Sequence, residues 1–192
     1  KVDQWNKFSK YSGGTLVEKC CHYFDLMNLF ADSIPDKVYA IGGKAFNFLD
    51  FKKNEKSADI DDHAFVLIEY KNGIRSSFTL NMFSPDFNEE MVVCGQKGRM
   101  KASETFSFKM QDSAEAKVSI ELGELGSSRQ SRISYPRVIE QSGHHGATFY
   151  EHIEFINKLK GRESKCATPL EGLWSIIIAG AAQQSIKKNR QI

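Results

Sequence analysis

Residues 64–82 read AFVLIEYKNGIRSSFTLNM, and this stretch decides the class of fold. Two apolar runs flank Asn72-Gly73, the preferred pair for a two-residue type I′ turn, so a hairpin of strands 64–70 and 74–82 is predicted. Such a turn pairs Lys71 with Ile74. The predicted core face then carries Phe65, Leu67, Phe78, Leu80 and Met82, and the predicted open face carries Val66, Ile68 and Tyr70 opposite Arg75, Ser77, Thr79 and Asn81.

Further strand patterns lie on both sides of this hairpin. Residues 37–46 are rich in β-branched and aromatic side chains, and Gly42-Gly43 within them predicts a bulge. The other candidates are residues 91–94 and 99–102, joined by Gly95-Gln96-Lys97-Gly98, the alternating Phe106, Phe108 and Met110, and residues 117–122 and 132–134. Strands that follow one another at short spacing favour antiparallel pairing.

Three helices are predicted, over residues 15–30, 148–160 and 169–188. Thr148 with Glu151 and Thr168 with Glu171 have the spacing of capping boxes. The order of one helix, a run of strands and two helices indicates an α+β fold, a mainly antiparallel open-faced sheet covered by helices on one face. The mixed open face predicts a homo-oligomer with sheet packed against sheet.

Composition excludes several classes of protein. A net charge of +2 over 192 residues disfavours a nucleic-acid binder that depends on charge. No run approaches the roughly 20 apolar residues of a membrane span, so a cytoplasmic protein without membrane contact is expected. The four cysteines, Cys20, Cys21, Cys94 and Cys166, have no zinc-site spacing and are predicted to be reduced, buried thiols. No GxGxxG, GxxxxGK[ST], GxSxG or HExxH motif occurs.

A polar stripe on the first helix is the main candidate for chemistry. Glu18, His22 and Asp25 recur at helical spacing on an otherwise apolar helix, and a carboxylate one turn before a histidine suits general acid-base catalysis. A structural alternative stays open. Thr15 and Glu18 also have capping-box spacing, and His22 could be a hydrogen-bonded core histidine.

A second candidate precedes the helix at residue 148. His144 and His145 lie between Gly143 and Gly146, and a glycine-flanked helix N-terminus suits an anion or a hydroxyl-rich ligand. A histidine pair in a loop is also common on plain surface. A zinc site made with His152 is a weaker alternative, because adjacent residues seldom reach one ion.

Four ordered segments resemble one known family. Residues 12–25, SGGTLVEKCCHYFD, resemble the GGxLxDxGxHxxD motif that opens the C-terminal domain of the glucose-fructose oxidoreductase, inositol dehydrogenase and MocA family. Residues 61–73 resemble its DDxxxxxxxYxNG strand and turn, residues 143–154 its GHHG segment, and residues 168–192 its closing helix. The resemblance covers nearly the whole chain.

The resemblance implies a function for the chain. Residues 1–192 would be the C-terminal substrate-binding and oligomerisation domain, and the N-terminal Rossmann domain, which binds NAD or NADP, would not be present in this chain. His22 is implied as the general acid-base, Glu18 as its partner in place of the motif's Asp, and His144, His145 and Lys19 as substrate-binding residues. The reaction implied is hydride transfer on a sugar, cyclitol or related polyhydroxylated substrate, with no metal.

Two other functions stay open at this point. The domain could be a non-catalytic relative that uses its open sheet as a binding and oligomerisation module. It could also belong to a branch that uses nicotinamide for eliminative or hydrolytic chemistry. Where many family members have a small-residue pair and Asp after the loop histidine, this chain has Gly146-Ala147-Thr148, so the motif names no particular sugar.

Overall fold

The chain divides into two units, which are described separately. The first is made of the residues up to Phe83 together with Ala167–Ile192, and the second is Ser84–Cys166. The structure is a computed structural model that describes residues 2–108, 114–123 and 126–192. Met110, the last position of the predicted Phe106–Phe108 alternation, lies outside the described residues.

Helices and strands have the following bounds. The helices are α1 (Ser9–Ser12), α2 (Thr15–Ala31), α3 (Arg137–Glu140), α4 (Ala147–Leu159) and α5 (Pro169–Lys188), with 3₁₀ turns at Val2–Lys7 and His144–Gly146. The strands are β1 (Pro35–Gly43), β2 (Lys52–Lys53), β3 (Lys56–Ser57), β4 (His63–Tyr70), β5 (Arg75–Asn81), β6 (Asp86–Gly95), β7 (Gly98–Ser107), β8 (Glu115–Leu122) and β9 (Ser128–Ile133).

The described strands form three antiparallel sheets. The first unit holds the sheet β1-β4-β5 and the two-stranded ribbon β2-β3, and the second holds β6-β7-β8-β9. Every strand pair is antiparallel. The predicted class, helices with antiparallel sheets, is confirmed.

In the first unit, α2 and α5 cover one face of the sheet β1-β4-β5. Phe24 and Tyr23 of α2 contact the ring of Phe78 on β5, with ring centroids 5.1 and 5.5 Å apart. Helix α5 packs against α2 and β1. Its Ile178, Ala179 and Ala182 are fully buried, because small residues let the helix approach closely.

The β4–β5 register differs by one residue from the prediction. The backbone N–H of Tyr70 donates to the carbonyl of Ile74, so the loop has three residues, and Gly73 at φ 86° supplies its left-handed position. Val66 therefore pairs with Phe78. The predicted core face is wrong, because a slip of one residue moves every side chain of one strand to the other face.

The faces of the sheet are consequently reassigned. Ala64, Val66, Ile68 and Tyr70 are the buried residues of β4, and Phe78 and Leu80 pack beside them. Phe65 and Leu67, predicted to be core, are 53% and 56% exposed. The open face exists as predicted, but Val66, Ile68 and Tyr70 do not lie on it.

The glycines of β1 do not form the predicted bulge. The irregularity lies instead between Pro35 and Lys37, while Gly42 pairs regularly with Ala64. A Cβ on Gly42 would lie 2.7 Å from the carbonyl oxygen of His63 and 3.0 Å from Cδ1 of Ile186 on α5. Gly42 is therefore required for close packing of the helix on the strand.

The two predicted capping boxes have different outcomes. At α5, Thr168 accepts from the N–H of Glu171 and the Glu171 carboxylate accepts from the N–H of Thr168, so this box is confirmed. At α4 the N-cap is Gly146, without a side-chain cap, and the prediction for Thr148 is wrong. The N-cap is therefore the left-handed Gly146, two residues before Thr148, and the helix begins at Ala147.

The outer edge of β1 has hydrogen-bond partners from the end of α5 and beyond. Val38 and Ile192 exchange two backbone hydrogen bonds, each 2.9 Å long. The Ser185 hydroxyl accepts from the N–H of Ala40 at 2.9 Å and donates to the carbonyl of Arg190 at 2.6 Å. Ser185 is fully buried, and these bonds satisfy its polar group.

The second unit is built on a four-stranded meander. Its β6–β7 turn pairs Cys94 with Arg99 and Gly95 with Gly98, as predicted from the glycines.

All four cysteines are free thiols, but only Cys20 is buried and Cys94 is exposed, so the prediction of buried thiols is wrong for Cys94. In the described part of the chain, no helix has the length and apolar character needed to cross a membrane.

Candidate functional site

The candidate site of the first unit lies on α2. This helix runs unbroken from Thr15 to Ala31, so Glu18 and His22 are one turn apart on the same side. The Glu18 side chain is 10% exposed, and its Oε2 lies 3.4 Å from Nζ of Lys19. His22 is exposed, and its ring centroid lies 4.0 Å from that of Tyr23. A shielded carboxylate thus precedes an accessible imidazole.

The structural alternatives for this stripe do not fit the observed helix start. The N-cap of α2 is Gly14, with no side-chain cap, and the Thr15 hydroxyl donates instead to the backbone carbonyl of Asp61. A capping box of Thr15 and Glu18 is therefore wrong. Since His22 is exposed, a core histidine is wrong as well.

Asp25, the third member of the stripe, lies near the start of α5. Burial raises the pKa of Asp25, and the negative charge of Glu171 raises it further. Gly14, at the start of α2, lies against Gln183, which is near the end of α5. A Cβ on Gly14 would overlap the Gln183 side chain. Helices α2 and α5 therefore run antiparallel, with the α5 N-terminus beside Asp25.

The side chains of two consecutive aspartates before β4 bind other segments of the first unit, Asp61 to helix α5 and Asp62 to residues 45–47. Asp61 accepts from Nε2 of Gln183 at 3.1 Å, and burial raises the pKa of the Asp61 carboxyl despite this bond. The Asp62 carboxylate is fully buried. It accepts from three backbone amides, those of Ala45, Phe46 and Asn47, at 2.6–2.9 Å, and from Nδ1 of His63 at 2.9 Å.

These contacts determine the ionisation of Asp62. Burial acts to raise the pKa of Asp62, but the hydrogen bonds from His63 and the three amides outweigh burial, so this pKa lies well below its usual range. Asp62 is thus an internal anion that holds residues 45–47. Sequence reasoning assigned no role to Asp61 or Asp62, although the adjacent acids directly before a strand were visible.

His144 and His145 belong to the second unit, in a turn of unusual backbone conformation. All four residues from Gly143 to Gly146 have positive φ. His145 contacts the carboxylate of Glu104 through Nδ1, and its ring packs against Phe106 and Phe87. His144 is exposed. The turn therefore directs His145 toward the sheet and leaves His144 accessible.

A carboxylate pair missed by sequence reasoning lies beside His145. Glu89 of β6 is directly opposite Glu104 of β7. Burial raises the pKa of Glu89, the charge of Glu104 raises it further, and the nearby histidines act in the opposite direction. The period-two pattern of β6 and β7 could have shown that these carboxylates share a face, but not that His145 contacts one of them.

No metal centre is found among residues 2–108, 114–123 and 126–192, where no three His, Cys, Asp or Glu side chains are close enough to share an ion. The zinc alternative for His144, His145 and His152 therefore has no support. Instead, Nδ1 of His152 contacts the backbone carbonyl of Thr148 at 2.7 Å.

The glycine pair at the start of α2 does not form an open phosphate-binding loop. Gly13-Gly14 is the one glycine pair at the start of a long helix in the described part of the chain, and the side chain of Gln183 fills the space beside Gly14. A pyrophosphate needs open backbone amides there.

Comparison with known proteins identifies the family. The model of the oxidoreductase family C-terminal α/β domain, of the Gfo/Idh/MocA group, matches residues 1–192. The chain belongs to this family. No curated protein sequence matches it significantly.

Solved structures have the same fold at low sequence identity. Levoglucosan dehydrogenase, in complex with NADH and levoglucosan, has a TM-score of 0.68 at 16% identity, over 98% of this chain and 52% of that chain. The aldose-aldose oxidoreductase from Caulobacter crescentus, complexed with glycerol, has a TM-score of 0.65 at 14% identity, over 100% of this chain and 51% of that chain. The WlbA dehydrogenase from Bordetella pertussis, in complex with NADH and UDP-GlcNAcA, has a TM-score of 0.62 at 16% identity, over 100% of this chain and 48% of that chain. The chain spans about half the length of these structures.

Proposed function

We propose that residues 1–192 form the substrate-binding and oligomerisation domain of an NAD- or NADP-dependent oxidoreductase that acts on a sugar, cyclitol or related polyhydroxylated substrate. The observation that carries this proposal is the exposed His22 one turn after the shielded Glu18. The proposal is supported by the family match over residues 1–192 and by the solved oxidoreductase structures, of which this chain matches about half the length. The dinucleotide-binding domain would lie outside these residues.

In this proposal His22 accepts and donates the proton of the reacting hydroxyl group. Its imidazole accepts the proton when the hydroxyl is oxidised and returns it when the carbonyl is reduced. Glu18, one turn earlier on α2, fixes the orientation of the ring. Hydride donation and acceptance are the chemistry that NAD or NADP supplies in such enzymes.

The substrate contacts are part of the same proposal. Lys19 follows Glu18 on α2 and offers an ammonium group to substrate oxygens, while its own ion pair with Glu18 limits its motion. His144 is exposed in the turn before α4, and His145 is held by Glu104. We assign a direct substrate contact to His144. His145 has two proposed roles, because it holds the turn in place and also contacts the substrate.

The experiment is His22→Asn in the complete enzyme. Loss of general acid-base catalysis should lower kcat by about 10²- to 10⁴-fold, and the melting temperature should hardly change because the side chain is exposed. His152→Asn, an exposed histidine on α4, is the matched control and should retain wild-type kcat. Full turnover in the His22 variant would exclude the catalytic role.

The two alternatives are separated by what the complete enzyme produces. Net formation of NADH or NADPH with a polyol substrate supports the dehydrogenase. Turnover without net cofactor reduction would instead support the eliminative branch. A protein that binds partners but turns over none of a panel of sugars and cyclitols would favour the non-catalytic module.

We further propose that two copies associate through the open face of β1-β4-β5. Tyr39, Ile41, Phe65 and Leu67 form two cross-strand pairs on that face and are 38–56% exposed. In a twofold dimer the same patch of each copy meets its counterpart, and such contact would bury these apolar side chains. Leu67→Lys should give a monomer by light scattering, whereas Leu159→Lys, on α4, should leave the mass unchanged. A wild-type monomer at micromolar concentration contradicts the proposal.

A further inference from the structure

The open face of β1-β4-β5 carries different side chains at its two ends. Cross-strand pairing divides this face into four rows, each with one residue from β1, β4 and β5. In order along the strands, the rows are Lys37, Glu69 and Arg75; Tyr39, Leu67 and Ser77; Ile41, Phe65 and Thr79; and Gly43, His63 and Asn81. We call the first the charged row and the last the histidine row. The apolar side chains of the proposed interface lie in the two middle rows.

The charged row consists of two cations around one anion. Nζ of Lys37 lies 3.0 Å from Oε1 of Glu69, and Nε of Arg75 lies 3.4 Å from Oε2 of the same carboxylate. The hydrogen bond and charge of Lys37, together with the charge of Arg75, lower the pKa of Glu69. Asp36, outside the row, lies 3.7 Å from Lys37. The two outer positions of the row are therefore cationic, and the central position is anionic.

The histidine row has carboxylates behind it and an acceptor nitrogen at its surface. The fully buried Asp62 accepts from Nδ1 of His63 at 2.9 Å. Because an ionised carboxylate only accepts, Nδ1 carries the proton, and Nε2 of the neutral ring is an acceptor. This side of the ring lies near β1, since a Cβ on Gly43 would be 3.8 Å from Nε2. The charge of Asp61 also acts on His63.

A twofold axis allows two alignments of such faces when the strands of both sheets run nearly along one another. In the first, the axis follows the strands, and each row meets the same row of the other copy. Lys37 would then face the partner's Arg75, and Glu69 would face the partner's Glu69. Like charges that meet across an interface are costly, so this parallel alignment is disfavoured.

In the second alignment the axis crosses the strands, and the order of the rows is reversed in the other copy. Each cation of the charged row then faces an uncharged residue, Lys37 the partner's Gly43 and Arg75 the partner's Asn81. The absence of a side chain at Gly43 leaves room for the long lysine, whose ammonium group comes beside the acceptor Nε2 of the partner's His63. The middle rows also meet, with Leu67 on the partner's Phe65.

We infer that two copies of this chain associate through the open face with their strands antiparallel, the charged row of each copy lying on the histidine row of the other. The inference rests on the association through this face that is part of the proposed function, and it adds the alignment and the polar contacts. In these contacts Lys37 donates to Nε2 of the partner's His63. The catalytic role of His22 does not enter.

Cysteine cross-linking in the 192-residue chain distinguishes the two alignments. A bismaleimide that spans about 10 Å, the separation of packed sheets, joins facing positions. A mixture of Arg75→Cys and Asn81→Cys chains should give a cross-linked dimer. A mixture of Arg75→Cys and Lys37→Cys chains is the matched control and should give little, because about 20 Å along the strands separates these positions in the antiparallel alignment. All chains carry Cys21→Ala, Cys94→Ser and Cys166→Ser, which leaves the buried Cys20.

A charge variant tests the alignment through the dimer affinity. Asn81→Asp keeps the side-chain oxygen that accepts from the N–H of Phe83 at 2.9 Å. Its new carboxylate faces the partner's Arg75 in the antiparallel alignment, so the dimer Kd should fall at least about twofold, and Arg75→Gln in the same chain should abolish this gain. Gln184→Glu adds an equal charge to an exposed position of α5, on the covered side of the sheet, and should leave Kd unchanged. Analytical ultracentrifugation measures each Kd.

The outcomes separate this inference from the proposal on which it rests. A wild-type chain that stays monomeric at micromolar concentration would overturn both. A dimer that cross-links through the Arg75 and Lys37 positions, or through neither pair, would overturn the alignment alone. Equal changes of Kd in the Asn81→Asp and Gln184→Glu variants would also overturn it, because the added charge would then act without a facing arginine.

Discussion

The hydroxyl of Thr15 donates to the backbone carbonyl of Asp61, 46 residues further along the chain. This bond joins the start of α2 to the loop before β4. It also occupies the hydroxyl that would otherwise cap the helix. Thr15 and Glu18 therefore form no capping box.

The first prediction concerns Glu18 as a positioning residue. In the complete enzyme, Glu18→Gln should lower kcat because the imidazole loses its charged partner, while the melting temperature stays close to that of the wild type. Glu18→Asp, the residue of the family motif, should restore much of the turnover. Steady-state kinetics of both variants check this. Unchanged kcat in the glutamine variant, or a large fall in melting temperature, would contradict it.

The second prediction concerns the pH dependence conferred by Asp62. Its folded pKa is lowered, so its stabilisation is present above the ordinary Asp pKa of about 3.9 and is lost as the pH falls toward the folded pKa. Asp62→Asn should cost at least about 2 kcal/mol at pH 7, because buried amides lose a charged acceptor. Urea unfolding at pH 7 and pH 3 should show a smaller difference between wild type and variant at pH 3. An equal difference at both values would exclude the linkage.

The third prediction compares two glycines. Gly42→Ala should destabilise the fold by about 1–3 kcal/mol, since the new methyl group would overlap the His63 carbonyl and crowd Ile186. Gly180→Ala, in the interior of α5 with no atom within 4 Å of its Cβ position, should stabilise by about 0.5–1 kcal/mol. Denaturant unfolding measures both. Opposite signs are the expected outcome, and a neutral Gly42 variant would argue against close packing at β1.

The fourth prediction concerns the cysteines. Burial raises the pKa of Cys20 to about 12, with a further contribution from Cys21, so its thiolate is scarce at pH 8. Cys94 is exposed and should react first with iodoacetamide, while Cys20 should react only on unfolding. Mass spectrometry of timed digests follows each site. In Cys94→Ser the fastest phase should disappear, and early labelling of Cys20 would contradict its burial.

The β4–β5 hairpin shows what the local sequence determines and what it leaves open. Asn72-Gly73 correctly predicted a turn between two antiparallel strands, but a two-residue and a three-residue loop both accommodate this pair. The choice depends on which face of β4 the helices bury. Tyr70 and Val66 pack under α2 and α5, and that contact between distant segments is not visible in the alternation of β4.

As with the hairpin, the sequence predicted only part of the candidate site. Helical spacing alone placed Glu18 and His22 on one side of α2, and the structure agrees. The capping alternative could be excluded only through the long-range bond from Thr15 to Asp61. The contact between His145 and Glu104 depends on a turn with four positive φ values, which Gly143 and Gly146 suggest but two histidines do not.

The edge of the sheet at β1 has a consequence for aggregation. An edge strand with free amides can recruit a strand from another molecule. Here both backbone groups of Val38 are bonded to Ile192, and the N–H of Ala40 is bonded to Ser185. Strand addition at this edge would first have to displace residue 192 and the buried hydroxyl. Fibrous growth by edge pairing is therefore disfavoured on this side, although the neighbouring face remains apolar and open.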